Sequence, residues 1–292
     1  MGGNPWLDRR VLAFAHQGGA REGPSSTLWA MRRALAAGAS ALELDVHATA
    51  DGELVVCHDP TVDRTTEGSG AIAGLTLDQV QALDNAYWFV PGEVTVQGRP
   101  QQEYVLRGRA PEDTELRVPA LREVLSEFPG VPLNLDVKRT APEVEPYEAA
   151  LARLLREFGR ADDVIVASFH DQATSAFAAQ APEICTSAGT AATALFYRAV
   201  REGDDAAAAA AVGRHVALQV PPTFQSVTVV DEGFVAAAHR AGAAVHVWTI
   251  DDPAEMERLV AIGVDGVMSD TPTALVRVLA GLGVAWNAPQ TI

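Results

Sequence analysis

Six polar side chains interrupt apolar runs, and their types define a chemistry. His16 follows the run Val11–Ala15 and precedes Gln17-Gly18-Gly19. Glu43 and Asp45 stand two apart within Ala41–Val46. Asp136 and Lys138 stand two apart near the end of Val131–Val137, and His58, with Asp59 just after it, closes the run Glu53–His58. Side chains along a strand alternate, so Glu43 and Asp45 share a face. Two carboxylates that close repel unless a proton or a cation separates them. Hard divalent cations such as Mg²⁺ and Ca²⁺ prefer carboxylate oxygen, and histidines exchange protons near neutral pH. Three carboxylates, two histidines and a lysine therefore suit metal-assisted acid–base chemistry. Blander readings stand beside this one. Asp136 and Lys138 also fit a neutralising pair. Glu43 and Asp45 also fit a solvated strand end, although the flanking Leu42, Leu44 and Val46 argue for a buried wall. His47 shares their face and is assigned to solvent or to a hairpin. His170, His215, His239 and His246 have no such company and read as structural or surface residues.

These side chains need elements that bring them together. Strand-like runs occur at Val11–Ala15, Ala41–Val46, Val131–Val137, Val164–Phe169, Ile184–Ala188, Val216–Val220, Ala244–Ile250 and Val264–Ser269. Helical stretches occur at Ser26–Ala37, Pro142–Phe158, Asp171–Gln180, Thr190–Glu202, Asp231–Ala241, Pro253–Ile262 and Thr273–Leu282. Strands alternating with helices make a parallel sheet. Eight such units predict an α/β fold, a closed (β/α)₈ TIM barrel, with an open doubly wound sheet as the second choice. Active sites of such barrels lie at the carboxyl ends of the strands, where His16, Glu43, Asp45, Asp136 and Lys138 fall. Glu53–His58 follows the second strand after Asp51-Gly52, a two-residue turn signal. It reads as an antiparallel hairpin strand, because a parallel neighbour needs a longer crossover, and it would bring His58 to the same face. Residues 60–118 read as an insertion on a single 1–292 domain, with a helix over Thr76–Leu83, and are the sequence's candidate for substrate selection. The run Ala206–Ala211 reads as a surface helix packed on the barrel.

Composition narrows the possibilities. Hydrophobic residues make up 48% of the 292 and charged residues 21%, as in an ordinary globular protein. Lys and Arg total 22 against 38 acidic residues, a net charge of -16. That excludes a general nucleic-acid binder, but not a small phosphate-bearing substrate, since a metal can reverse the local sign. No apolar run reaches the ~20 residues needed to span a bilayer. Met1 to Arg10 hold no signal-peptide core, and Trp6 stands where a myristoylation signal at Gly2 wants Ser or Thr. Cys57 and Cys185 sit in apolar runs without a disulfide framework. A cytoplasmic protein is expected.

The motifs then resemble a family. His16-Gln17-Gly18, Pro24-Ser25-Ser26-Thr27, Glu43-Leu44-Asp45-Val46, Asp51-Gly52, Cys57-His58-Asp59 and Asp63-Arg64-Thr65-Thr66 look like the glycerophosphodiester phosphodiesterases. Leu133-Asn134-Leu135-Asp136-Val137-Lys138, Ala167-Ser168-Phe169, Val247-Trp248-Thr249 and the segment Gly263 to Asp270 agree. The resemblance runs from about Val11 to Leu282. It implies a barrel phosphodiesterase with one divalent cation, Mg²⁺ or Ca²⁺, on Glu43, Asp45 and Asp136. It implies His16 and His58 as the acid–base pair, Lys138 as a phosphate contact and Trp248 as an aromatic wall of a small-molecule substrate pocket. The chain departs from the pattern in three places. Gln17, here a substrate-binding candidate, replaces a usual Arg; Ser25-Ser26 replace Glu-Asn; Asp136 replaces a Glu. Asp at the third ligand is also the pattern of sphingomyelinase D-type phospholipases. Three functions follow: hydrolysis of glycerophosphodiesters to sn-glycerol 3-phosphate and an alcohol, a lysophospholipase D or sphingomyelinase D-like activity, or a non-catalytic phosphodiester-binding barrel.

Overall fold

A computed structural model describes residues 4–9 and 11–284 of the chain. The readings of Gly2 and Arg10 fall outside the described residues. The strands are β1 Leu12–His16, β2 Ala41–Ala48, β3 Leu54–Val56, β4 Leu133–Val137, β5 Val164–Ala167, β6 Cys185–Thr186, β7 Ala217–Val220, β8 Thr223–Phe224, β9 Val227–Thr228, β10 Ala244–Val247 and β11 Gly266–Ser269. The parallel order is β6-β5-β4-β2-β1-β11-β10-β7, with β3 antiparallel on β2. A parallel bridge between Ser187 and Ala217 joins the two ends. There the Val216 N–H donates to the Thr186 carbonyl at 3.0 Å and the Ala188 N–H to the Ala217 carbonyl at 3.0 Å. All eight expected strands are thus present in a (β/α)₈ barrel, and the Asp51-Gly52 turn makes the expected hairpin. In that hairpin His47 pairs with Val55, and it is buried rather than solvated.

The alternation along β2 explains the barrel. Leu42, Leu44 and Val46 face outward into a layer shared with Met31, Leu121 and Leu151 of the surrounding helices. Burying each such side chain contributes roughly 1.5–3 kcal/mol, so Leu44→Ala would strike the fold directly. Ala41, Glu43 and Asp45 take the inner positions. The lower interior is apolar, with Leu12, Phe14, Ile165 and Met268 packed on Trp6 of the short helix Pro5–Asp8. Asn4 anchors that helix, its side-chain amide donating to the Val216 carbonyl at 2.7 Å. A middle layer holds Gln219, whose amide donates to Asn134 Oδ1 at 2.7 Å. Glu43, Asp45, Asp136 and Lys138 form a charged top layer at the strand carboxyl ends.

The helices follow the sequence reading closely. Asp171–Gln180 and Thr190–Glu202 have the expected bounds, and Gly203 ends the second with a left-handed φ of 73°. The alanine run lies in a helix Asp205–Val212 that buries Ala208 and Val212. The helix expected over Pro142–Phe158 spans only Glu148–Glu157. Pro146 lacks an N–H and biases the residue before it away from helix, so the chain cannot wind earlier. A barrel helix at Leu121–Glu127 and the β8–β9 hairpin were not anticipated.

The insertion carries its own small cores. One gathers Val62, Ile72, Val80 and Val118 under the hairpin; another gathers Ala86, Phe89, Leu106 and Leu116. Its expected helix spans Leu77–Gln81, started by a capping box between Thr76 and Gln79. The Arg107 guanidinium lies 3.7 Å from the Tyr104 ring centre and 4.3 Å from that of Tyr87. Among the described residues no helix is long and apolar enough to cross a membrane.

Candidate active site

The top layer brings the expected polar residues to one cavity of about 670 Å³. His16, Glu43, Asp45, His58, Asp136, Lys138 and Trp248 all line it. The register explains the meeting: His16 pairs with Glu43, and Asp45 with Asp136, across adjacent strands. His58 arrives on the hairpin, where its carbonyl accepts from His47 Nε2 at 3.2 Å.

Each histidine is oriented by an aspartate. His16 Nδ1 lies 2.7 Å from Asp270 Oδ1, and His58 Nδ1 lies 2.6 Å from Asp59 Oδ1. Asp59 is held in turn by the Arg64 Nε–H at 2.6 Å, and the Asp270 backbone N–H donates to Asp251 Oδ1 at 2.9 Å. A hydrogen bond at Nδ1 fixes the ring and leaves Nε2 for chemistry. Burial opposes charge on His16, but nearby Glu43 and the bond to Asp270 outweigh it, pushing its pKa up to about 9. Burial also opposes ionisation of Asp59, yet the hydrogen bonds from His58 and Arg64 hold its carboxyl far below the usual range.

The carboxylates are crowded and buried. Burial and the charge of Asp45 push the Glu43 pKa above the usual carboxylate range, and burial does the same to Asp136 against the pull of Lys138. Lys138 Nζ bridges the pair, 2.8 Å from Asp45 Oδ1 and 2.9 Å from Asp136 Oδ2. Two oxygens remain, Asp45 Oδ2 and Asp136 Oδ1, buried without a hydrogen-bond partner. Orphaned hard oxygens of this kind fit Mg²⁺ or Ca²⁺ in donor chemistry. Among the described residues, however, no three His, Cys, Asp or Glu side chains are assembled around one point; the ammonium holds that place.

Gln17 is placed differently from the other candidates. Its backbone takes a left-handed φ of 51°, and its side chain is buried, with Oε1 accepting from the Ser25 hydroxyl at 2.7 Å. Its N–H donates to Glu43 Oε2 at 3.2 Å. It lines not the main cavity but a smaller one of about 160 Å³ behind the histidines, with Arg64, Asp59 and Asp270. The insertion, expected to select substrate, supplies only Arg64 and Val94 there and nothing to the main cavity. The walls come instead from the later strand–helix loops and from β8–β9.

Asp59, Asp270 and Arg64 are the residues that reading the sequence left without a role. Asp270 is 254 positions from His16, so its place at a strand end, beyond Ser269, and its membership of the family-like segment Gly263 to Asp270 gave no partner for it. Phe169, which meets Trp248 edge to face at 5.6 Å between ring centres, belongs to the family-like motif Ala167-Ser168-Phe169 but drew no role from it.

Comparison with known proteins agrees with this arrangement. A sequence model described as the glycerophosphoryl diester phosphodiesterase family matches residues 16–274. A glycerophosphodiester phosphodiesterase of Caldanaerobacter subterraneus subsp. tengcongensis is 29% identical over 274 residues, covering 92% of this chain and 98% of that protein. The structure of a glycerophosphodiester phosphodiesterase from Agrobacterium tumefaciens superposes with a TM-score of 0.69 at 24% identity, covering 91% of this chain and 98% of the other. An Oleispira antarctica phosphodiesterase, solved with the product sn-glycerol-3-phosphate, gives a TM-score of 0.69 at 25% identity, covering 94% and 99%. A barrel of matching topology, with this histidine and carboxylate constellation at its top and a family match over nearly its whole length, places the chain in the glycerophosphoryl diester phosphodiesterase family.

Proposed function

We propose that this protein hydrolyses glycerophosphodiesters to sn-glycerol 3-phosphate and an alcohol. The observation that carries the reading is the pair of aspartate-oriented histidines sharing one cavity with Glu43, Asp45, Asp136 and Lys138. The product bound by the Oleispira relative supports the same substrate class.

In this reading His16 and His58 divide the proton work. One takes a proton from the nucleophile, either water or the substrate's neighbouring hydroxyl; the other gives a proton to the departing alcohol. Asp270 and Asp59 hold the rings at Nδ1 throughout. Lys138 places positive charge on the phosphate once it leaves the carboxylates. Glu43, Asp45 and Asp136 would hold one divalent cation, Mg²⁺ or Ca²⁺, which when bound neutralises the phosphate and stabilises charge building on it. Trp248 forms a wall for the substrate. Gln17 serves through Ser25 and Glu43, shaping the loop behind His16. A cytoplasmic setting belongs to the same proposal, supported by two free cysteines, Cys57 and Cys185.

The test is a panel of small glycerophosphodiesters with Mg²⁺ or Ca²⁺, each repeated with a chelator. Release of sn-glycerol 3-phosphate that stops on chelation is expected. No release from any diester would overturn the reading and leave a barrel that binds without turnover.

A further inference from the structure

The aspartates that hold the two histidines stand on unlike footing. Asp270 directly follows β11, is itself buried, and has its backbone N–H tied to Asp251. Asp59 lies beyond the end of β3, in no strand, with its side chain 25% exposed. A side chain so placed can rotate to another staggered position and turn its carboxylate into water. Arg64 opposes that rotation. Its Nε–H donates to Asp59 Oδ2 at 2.6 Å, while Asp59 Oδ1 meets His58 Nδ1 at 2.6 Å. Each carboxylate oxygen has its own partner, so the plane of the group is set as well as its position. Charge-assisted hydrogen bonds of this length are the strong ones.

The guanidinium can act as a fixed point because its own backbone is anchored. Val62, Thr65 and Thr66 around it are buried, and Val62 belongs to the small core under the hairpin. The Thr66 N–H and hydroxyl both donate to the Val62 carbonyl, at 3.1 and 2.8 Å. The Val62 N–H donates to the Gly70 carbonyl at 3.1 Å, and Gln97 Nε2 to the Asp63 carbonyl at 3.0 Å. Arg64 is also absent from the lining of the main cavity, where Lys138 and the carboxylates stand. It lines the small cavity of about 160 Å³ behind the rings. Its position therefore suits holding Asp59 rather than touching the reacting groups.

We infer that Arg64 is a positioning residue for turnover: it fixes Asp59, and through Asp59 the ring of His58. The inference rests on the phosphodiesterase reading and adds a residue to its machinery. It also makes the insertion a brace, since the rigidity of that segment reaches His58 through Arg64. A ring left free to swing presents Nε2 to the reacting atoms only part of the time, and misplacement of a reacting group by about 1 Å can cost 100-fold in rate.

Steady-state hydrolysis of glycerophosphoethanolamine with Mg²⁺ or Ca²⁺ is compared in wild type, R64A, D59A and D59A/R64A. R64A is expected to lose about 10–100-fold in kcat with KM within a few-fold. Adding R64A to D59A is expected to cost less than about twofold more, because Arg64 then has no carboxylate to hold. Guanidinium chloride at tens of millimolar, a free copy of the missing group, is expected to restore part of the kcat of R64A and none of that of D59A/R64A. R64M keeps the aliphatic stem and repeats the kcat comparison if R64A melts below the assay temperature. Wild-type kcat in folded R64A or R64M overturns the inference. So does a loss confined to KM, or a loss by the same factor in the D59A background, either of which makes Arg64 act independently of Asp59. No turnover by the wild type overturns the phosphodiesterase reading itself, and this inference falls with it.

Discussion

Gln17 and Ser25, two positions at which the chain departs from its family pattern, meet each other: the Ser25 hydroxyl donates to Gln17 Oε1 at 2.7 Å. The two departures are therefore one change. Where the pattern places Arg and Glu, this chain has a neutral hydrogen bond between buried side chains. Restoring one end alone buries a charge without its partner. Gln17→Arg is expected to lower unfolding stability by roughly 3–5 kcal/mol in urea titrations, and Gln17→Arg with Ser25→Glu to recover most of it. Equal destabilisation of the single and double variants would show that the two positions are not coupled.

Lys138 holds two buried carboxylates apart at 2.8 and 2.9 Å. Lys138→Met is expected to cost roughly 3–5 kcal/mol of stability in chelator. The loss should be much smaller in millimolar Mg²⁺ or Ca²⁺, because a cation then neutralises Asp45 and Asp136. Thermal melts with and without metal read this without any activity assay. A loss that the cations leave untouched would speak against a cation at these carboxylates.

His246 sits fully buried between Phe14 and Trp6, and burial pushes its pKa down from 6.5 to about 3. The folded state keeps the ring neutral while the unfolded chain takes up a proton below pH 6.5. Stability from this group is therefore full above pH 6.5 and is lost as pH falls from there toward about 3. The loss is about 1.4 kcal/mol per pH unit at most. His246→Gln is expected to be less stable at pH 7 but to show a shallower decline between pH 6 and about 4. Parallel declines in the two proteins would refute this.

Asp270 touches His16 and not the cavity's far wall, so it positions rather than reacts. Asp270→Asn is expected to lower kcat about 100-fold while leaving KM within a few-fold. Because Asp270 favours the charged ring, its loss should also move the limb of the pH–rate profile set by His16 toward lower pH. A variant that raises KM alone would assign Asp270 to substrate binding instead.

Much of this is legible in the sequence. The eight strands announce themselves as short apolar runs, and Asp51-Gly52 announces the hairpin that delivers His58. Glu43, Asp45 and Asp136 are conspicuous because charge within an apolar strand needs a reason. The Leu121–Glu127 helix escaped because it is seven residues long and starts at Ala120 without a side-chain cap. The β8–β9 hairpin escaped because its strands have two residues each and turn at Gln225, with φ 53° and no glycine. Asp270 reaches His16 across 254 positions only when the barrel closes, and the Gln17–Ser25 contact depends on the conformation of an irregular loop, with Gln17 at a left-handed φ of 51°; local pattern encodes neither. The insertion shows the converse: an irregular polar segment suggested substrate selection, yet its apolar residues serve its own small cores.

The account stands most directly on the two histidines. Turnover of a glycerophosphodiester should be followed in wild type, His16→Asn and His58→Asn, with folding checked by circular dichroism and thermal melting. Each variant is expected to stay folded and to lose about 10²–10⁴-fold or more in kcat. Wild-type rates in both folded variants would contradict the proposed acid–base pair.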